Sequence, residues 1–200
     1  MTGLTQKEIG CVTFVPVSIS DDDWSTRHSV QSTARRTVAL VNVLVGEEPT
    51  ADAVAEVLRA YGETGEIELS AKDLADLRAA AVLLREVFTA DRVDLAAARV
   101  NGLLQRSAGT VRLTSHDGLT PWHPHLDRDD QAPWGAWLIA SSCLAMTVLI
   151  WDYQRPPGGR CASSGCERVY LSQGSGAPRR YCSRRCATRE RVAAHRRSRG

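Results

Sequence analysis

Apolar and polar positions alternate from Cys11 to Ile19, which predicts a strand ended by the solvated loop Asp21-Asp22-Asp23. Val38 to Val45 is an apolar, β-branched run of strand length that stops at Gly46, and it predicts a buried strand. Beyond it the period changes. Thr50 is placed to cap a helix whose Val54, Val57, Leu58 and Tyr61 recur at helical spacing before Gly62 ends it. Ser70 and Asp73 form a capping box with Asp in place of the usual Glu, and Leu74, Leu77, Ala81, Leu84 and Phe88 then mark one face of a long helix. Asp91 opens a further helix, with Leu95, Ala98, Leu103 and Leu104 as its predicted buried positions.

Thr110 to Thr114 reads as a strand, His116-Asp117-Gly118 as a tight turn, and Leu119 to Leu126 as the returning strand, which Pro121 and Pro124 confine to a sheet edge. This hairpin gathers His116, His123 and His125, with Asp117 and Asp127 nearby, as a candidate ligand or metal site. The plainer expectation is an exposed turn and an irregular edge strand, because no pair has the i, i+4 spacing of a helical His site. Ala132 to Trp151 carries no charge and is long enough to span a bilayer. Pro133, Gly135, Ser141, Ser142 and Thr147 lie inside it and no Lys or Arg directly flanks its start, where Asp129-Asp130-Gln131 stand, so a central helix buried on all sides is expected, with no membrane. Arg155-Pro156-Pro157-Gly158-Gly159 cannot continue a helix and reads as a short linker between residues 1–154 and 155–200.

Length changes this picture little: 200 residues allow one ordinary core and a small appendage. The 43% hydrophobic and 24% charged residues exclude wholesale disorder, and no internal repeat is present. Charge changes it more. From Arg155 onward there are twelve Arg, no Lys and only Glu167 and Glu190, a net +10, which leaves −8 on the preceding residues. A cationic tail on an acidic body points to a polyanionic partner, nucleic acid first and anionic membrane second.

Four of the six cysteines form two close pairs: Cys161, four residues, Cys166, fifteen residues, Cys182, three residues, Cys186. With no signal-peptide pattern among the first residues, this spacing points to a metal site in a reducing cytoplasm rather than to disulfides. Cys11 and Cys143 sit in apolar surroundings as small core residues. Four thiolates suit one structural zinc with no open position. So short a segment has little core of its own, so the metal supplies its folding free energy, on the order of 10 kcal/mol. Replacing a ligand is expected to unfold the module and leave the first domain intact. Gly165 permits the turn between the first pair, Val169-Tyr170-Leu171 is strand-like, Gly174-Ser175-Gly176 turns, and Arg180-Tyr181 returns to a helix from Ser183 to Arg197. A knuckle, a hairpin and a helix describe a treble-clef finger. The fold class is therefore α+β, a mixed helix and sheet domain followed by that finger.

On the last helix, Arg184, Thr188, Arg191, His195 and Arg199 fall within about 80° of one another, with Cys186 and Ala193 opposite. Arg185, Arg189 and Arg196 flank this stripe, and Arg179 and Arg180 approach from the hairpin. Arg offers a planar fork for phosphate or guanine. The competing expectation is a solvated terminal helix in an Arg-rich proteome, since the bias toward Ala, Arg, Val and Asp suggests a GC-rich genome.

The module resembles the CGNR-type zinc finger found in bacterial proteins described as stress-induced transcription regulators. The matching residues are Arg160-Cys161-Ala162, Cys166, Tyr170, Arg179-Arg180-Tyr181-Cys182-Ser183, Cys186 and Arg189. The signature itself departs, with Cys186-Ala187-Thr188-Arg189 where the family has Cys-Gly-Asn-Arg. Val38-Ala39-Leu40-Val41-Asn42 and Val100-Asn101-Gly102-Leu103-Leu104 are similar to stretches of the ABATE domain that accompanies this finger.

The resemblance and the charge together imply a cytoplasmic bacterial regulator, in which the first domain dimerises or senses a small-molecule effector and the finger binds double-stranded DNA. A protein-interaction finger is the alternative, for which Val169, Tyr170, Leu171 and Tyr181 are the available apolar residues. RNA binding and a ligand-binding, enzyme-like first domain rank lower. No Gly-rich phosphate loop or nucleophile elbow is present, so no enzyme is expected.

Overall fold

The computed structural model describes residues 26–46, 48–63, 66–106, 109–118, 122–126, 132–172 and 179–199. Among these, six helices and two two-stranded antiparallel sheets make a mostly helical α+β arrangement. The strand expected at Cys11–Ile19 and the turn at Gly174-Ser175-Gly176 lie outside the described residues.

The run at Val38–Val45 is not a strand. It is the second half of helix α1, Thr26–Leu44. Its buried residues Ala34, Thr37, Leu40, Val41 and Leu44 recur at helical spacing, so burial against several neighbours favours a helix over the local β preference of valine. Helices α2, Ala51–Ala60, and α3, Ala71–Phe88, begin where their caps place them: Thr50 accepts from the Ala53 amide, and Ser70 and Asp73 close a reciprocal capping box. Helix α4, Val93–Arg106, starts later than Asp91 and buries Ala96, Val100 and Leu103, while Leu95 and Ala98 are exposed. Its inward face is turned relative to the expected one because α3 and α5 both pack on it.

Helix α5, Trp134–Tyr153, is the centre of the body and packs against α1, α3 and α4. By length and composition it is the one described helix able to cross a membrane. Its hydroxyls are nevertheless engaged inside the protein. Ser142 Oγ lies 2.8 Å from Thr37 Oγ1, and Ser141 Oγ accepts from Arg36 Nη2 at 3.0 Å. Burial lowers the pKa of the Arg36 guanidinium, against the opposing pull of Glu63 at 3.3 Å, and the group stacks 4.3 Å from the Trp137 ring. Burial is not complete on all sides, since Ala136, Thr147 and Trp151 face outward. Cys143 is fully buried as expected, which pushes its thiol up to about 12.

Strands β1, Arg112–Thr114, and β2, His123–His125, pair as the expected hairpin, with Thr114 opposite His123 and Arg112 opposite His125. The returning strand is shorter than Leu119–Leu126; residues 119–121 lie outside the described set. Strand β3, Gly158–Arg160, pairs with β4, Val169–Leu171. Gly158 and Gly159 are therefore strand residues rather than a free linker. A Cβ on Gly158 would collide with the Tyr170 carbonyl oxygen and approach Phe88 Cδ1 to 2.9 Å, so glycine serves close approach here. Val169 and Leu171 join the main core, and helix α6, Arg184–Arg197, closes the chain.

Candidate metal centre and the basic helix

Cys161 leaves the end of β3 and Cys166 follows after a turn in which the Cys166 amide donates to Ser163 O at 3.0 Å and Gly165 adopts φ +69°. A positive φ is cheap only for glycine, so this position is sequence-determined. Cys182 precedes α6 and Cys186 lies in its first turn, where Ser183 caps the helix by accepting from the Cys186 amide at 3.2 Å. The caps and turns thus aim all four sulfurs inward.

Sγ atoms are 3.7 Å apart for Cys166 and Cys182, 3.7 Å for Cys182 and Cys186, and 3.9 Å for Cys186 and Cys166. All four lie within 4.8 Å of one another. Four sulfurs at the zinc–thiolate bond length on a tetrahedron stand about 3.8 Å apart, so the donor set fits zinc. The Cys182 amide also donates to Cys161 Sγ at 3.3 Å, the kind of contact that stabilises a thiolate. Ser183 draws the Cys186 thiol down to about 7, whereas burial pushes Cys182 up to about 12. A dication offsets this opposition by favouring four thiolates together.

A ring of polar contacts holds the knuckles. Arg189 Nε and Nη2 donate to Ser163 Oγ at 3.0 and 2.7 Å, and Nη2 also donates to Ser164 O at 2.7 Å. Glu190 Oε1 accepts from the Ser164 amide at 2.8 Å and from Ser163 Oγ at 2.9 Å, and these two bonds, the backbone one first, hold its carboxyl below the usual range. Arg179 donates to Tyr181 O at 2.8 Å and Cys182 O at 2.6 Å, and Tyr170 Oη donates to Arg179 O. Arg179 and Arg189, both in the expected nucleic-acid contact set, therefore have structural engagements within the finger.

Two residues with no expected part in the site, Asn42 and Arg85, tie the finger to the body. Asn42 Nδ2 donates to Val169 O at 3.0 Å and Asn42 Oδ1 accepts from the Val169 amide at 2.9 Å, so the side-chain amide pairs with β4 as a neighbouring strand would. Arg85 Nη2 donates to Glu167 Oε2 at 2.6 Å and to Glu167 O at 3.1 Å. The signal for Asn42 in the sequence was a polar residue inside an apolar run, in a stretch similar to the ABATE domain.

Arg184, Arg185, Thr188, Arg191, His195 and Arg196 are all exposed on α6, Arg199 is exposed just past its end, and Arg180 is exposed beside it, while Cys186 is buried. Among the described residues no acidic side chain forms an ion pair with Arg184, Arg185, Arg196 or Arg199. In the departed signature, Ala187 donates its amide to Ser183 O at 3.2 Å and Thr188 Oγ1 accepts from Arg191, so helix runs straight through both positions. In the first domain, the rings of His116, His123 and His125 gather with centroids 4.9 to 5.1 Å apart.

Residues 159–199 match the CGNR zinc finger family, which spans the chain from within β3 past the end of α6. With the four-sulfur geometry, that match assigns one structural zinc to the finger. Among curated proteins, none matches the chain.

Proposed function

We propose that this protein is a cytoplasmic bacterial transcription regulator that binds double-stranded DNA through α6 of a treble-clef finger, with an ABATE-like first domain that dimerises or senses an effector. The observation that carries this reading is the separation of faces on α6. The zinc ligand Cys186 is buried, and the opposite stripe, Arg184 to His195 on the helix and Arg199 just past it, is exposed and uniformly basic or polar. A helix anchored at one end by metal and presenting arginine forks along its length suits the phosphates and guanine edges of a groove. Four thiolate ligands leave the zinc no open position, which supports a scaffolding role rather than a catalytic one.

The protein-interaction alternative loses much of its apolar supply. Val169, Tyr170 and Leu171 are buried, two of them in the main core, and so are not offered to a partner.

The test is fluorescence anisotropy of the zinc-loaded protein with duplex fragments of genomic DNA across a salt series, with single-stranded RNA of matched length alongside. Duplex binding that weakens linearly in log affinity against log salt is the expected result. Absence of a salt-dependent change with any duplex overturns the reading, and preference for the RNA replaces the partner.

A further inference from the structure

The hairpin of the first domain carries a second constellation of metal-ligand type, unrelated to the finger. We propose that His116, His123 and His125 bind one first-row transition-metal dication of the zinc class through their three Nε2 atoms, leaving a fourth coordination position for water or an exogenous ligand.

The backbone delivers these rings to one point. His123 and His125 are i and i+2 on β2, so their side chains leave the same face of the strand while Pro124 leaves the other. His116 comes from the turn, where φ is +47° at His116, +57° at Asp117 and +84° at Gly118. Two successive non-glycine residues in the left-handed region are uncommon, and the conformation folds His116 back over the strand. Thr114 Oγ1 accepts the His116 amide at 3.1 Å and Ser115 Oγ accepts the Gly118 amide at 3.1 Å, so the turn is fixed by its own side chains.

The resulting spacing is that of ligands around an ion. His116 Nε2 is 3.2 Å from His123 Nε2, which is 3.1 Å from His125 Nε2, and the three ligand atoms lie within 4.8 Å of one another. Nitrogens at zinc–imidazole bond lengths on a tetrahedron stand about 3.3 Å apart. Three neutral imidazoles leave the full dipositive charge on the centre, and three protein ligands with one open position distinguish this set from the closed thiolate site. The competing arrangement is a chain of N–H···N hydrogen bonds, with Arg112 Nη2 donating to His125 Nδ1. That contact is 3.4 Å, the long limit of such a bond; metal ligation at Nε2 puts the His125 proton on Nδ1, where it would face a second donor, so ligation requires the Arg112 guanidinium to turn away from the ring.

The experiment uses the full chain with its finger zinc in place, equilibrated with Zn²⁺ and freed of loose metal, with zinc counted by mass spectrometry. Two zinc ions per wild-type chain are expected, and one in the His123→Ala/His125→Ala variant. His116→Asn supplies a second variant that keeps a residue tolerant of left-handed φ and should also hold one, with far-ultraviolet circular dichroism unchanged. Added Co²⁺ should give wild-type protein a visible ligand-field band without thiolate charge transfer, absent from both variants. One zinc per wild-type chain, or two in the His123→Ala/His125→Ala variant, overturns the proposal.

Discussion

Arg189 and Glu190 are neighbours of opposite charge that grip the same two residues, Ser163 and Ser164, from the helix that carries the last zinc ligand. Arg189→Ala removes three donated bonds from the first knuckle and should destabilise the finger by on the order of 1–2 kcal/mol. The check is the rate of zinc transfer to a chromogenic chelator, faster in Arg189→Ala and unchanged in Arg184→Ala, whose guanidinium makes no ion pair with the described residues. The four cysteines were legible in sequence because their spacing is itself the site. Arg189 was legible as a residue but not as a contact, since a helical projection gives an angle around the axis and not the loop that lies beside it. For a similar reason the hairpin pattern placed the three histidines in one neighbourhood without showing how closely their rings meet. Strand spacing of i, i+2 shares a face as surely as i, i+4 does on a helix, and Asp117-Gly118 marks the turn, but the left-handed φ of His116 that returns its ring has no mark in the sequence.

Helix ends were better marked than helix bodies. Thr50, Ser70 and Asp73 announced their caps through short-range chemistry, whereas in Val38–Val45 every residue but Asn42 is apolar, which leaves too little contrast to show a helical period. Ser70→Ala should cost about 1 kcal/mol in thermal or denaturant unfolding. The Ser70 hydroxyl and amide hold the Asp73 carboxyl below its usual pKa, so this contribution is present above the unfolded value and is lost as pH falls through the lowered one. The gap between wild type and Asp73→Asn should accordingly close on acidification. For α6 the element-scale prediction concerns salt. Arg184→Ala/Arg191→Ala removes two members of the exposed stripe and, if each meets a phosphate, should reduce the slope of log affinity against log salt by about two. Anisotropy across the same salt series checks it, with the zinc content unchanged.

At the scale of the whole molecule, the finger is not a bead on a tether. Its β4 strand contributes Val169 and Leu171 to the core that holds Phe88, Leu84 and Val41, and Asn42 closes the free edge of that strand from α1. The expectation that the module could unfold and leave the first domain intact therefore changes. If the sulfurs lose their metal, the knuckle between β3 and β4 loosens, and the body loses the apolar side chains that the hairpin inserts against α1 and α3. Removing zinc with a chelator should lower the melting temperature of the helical body as well as melt the finger, read as a single circular dichroism transition shifted downward. Asn42→Ala strands the amide and carbonyl of Val169, a residue only 1% exposed, at a cost of about 2–4 kcal/mol. Its specific signature is uncoupling. With the strand edge unpaired, the finger should release zinc and unfold at a lower temperature than the body, giving two transitions where the wild type gives one. A body that melts at the same temperature with and without zinc would show instead that the hairpin rests on the core without supporting it.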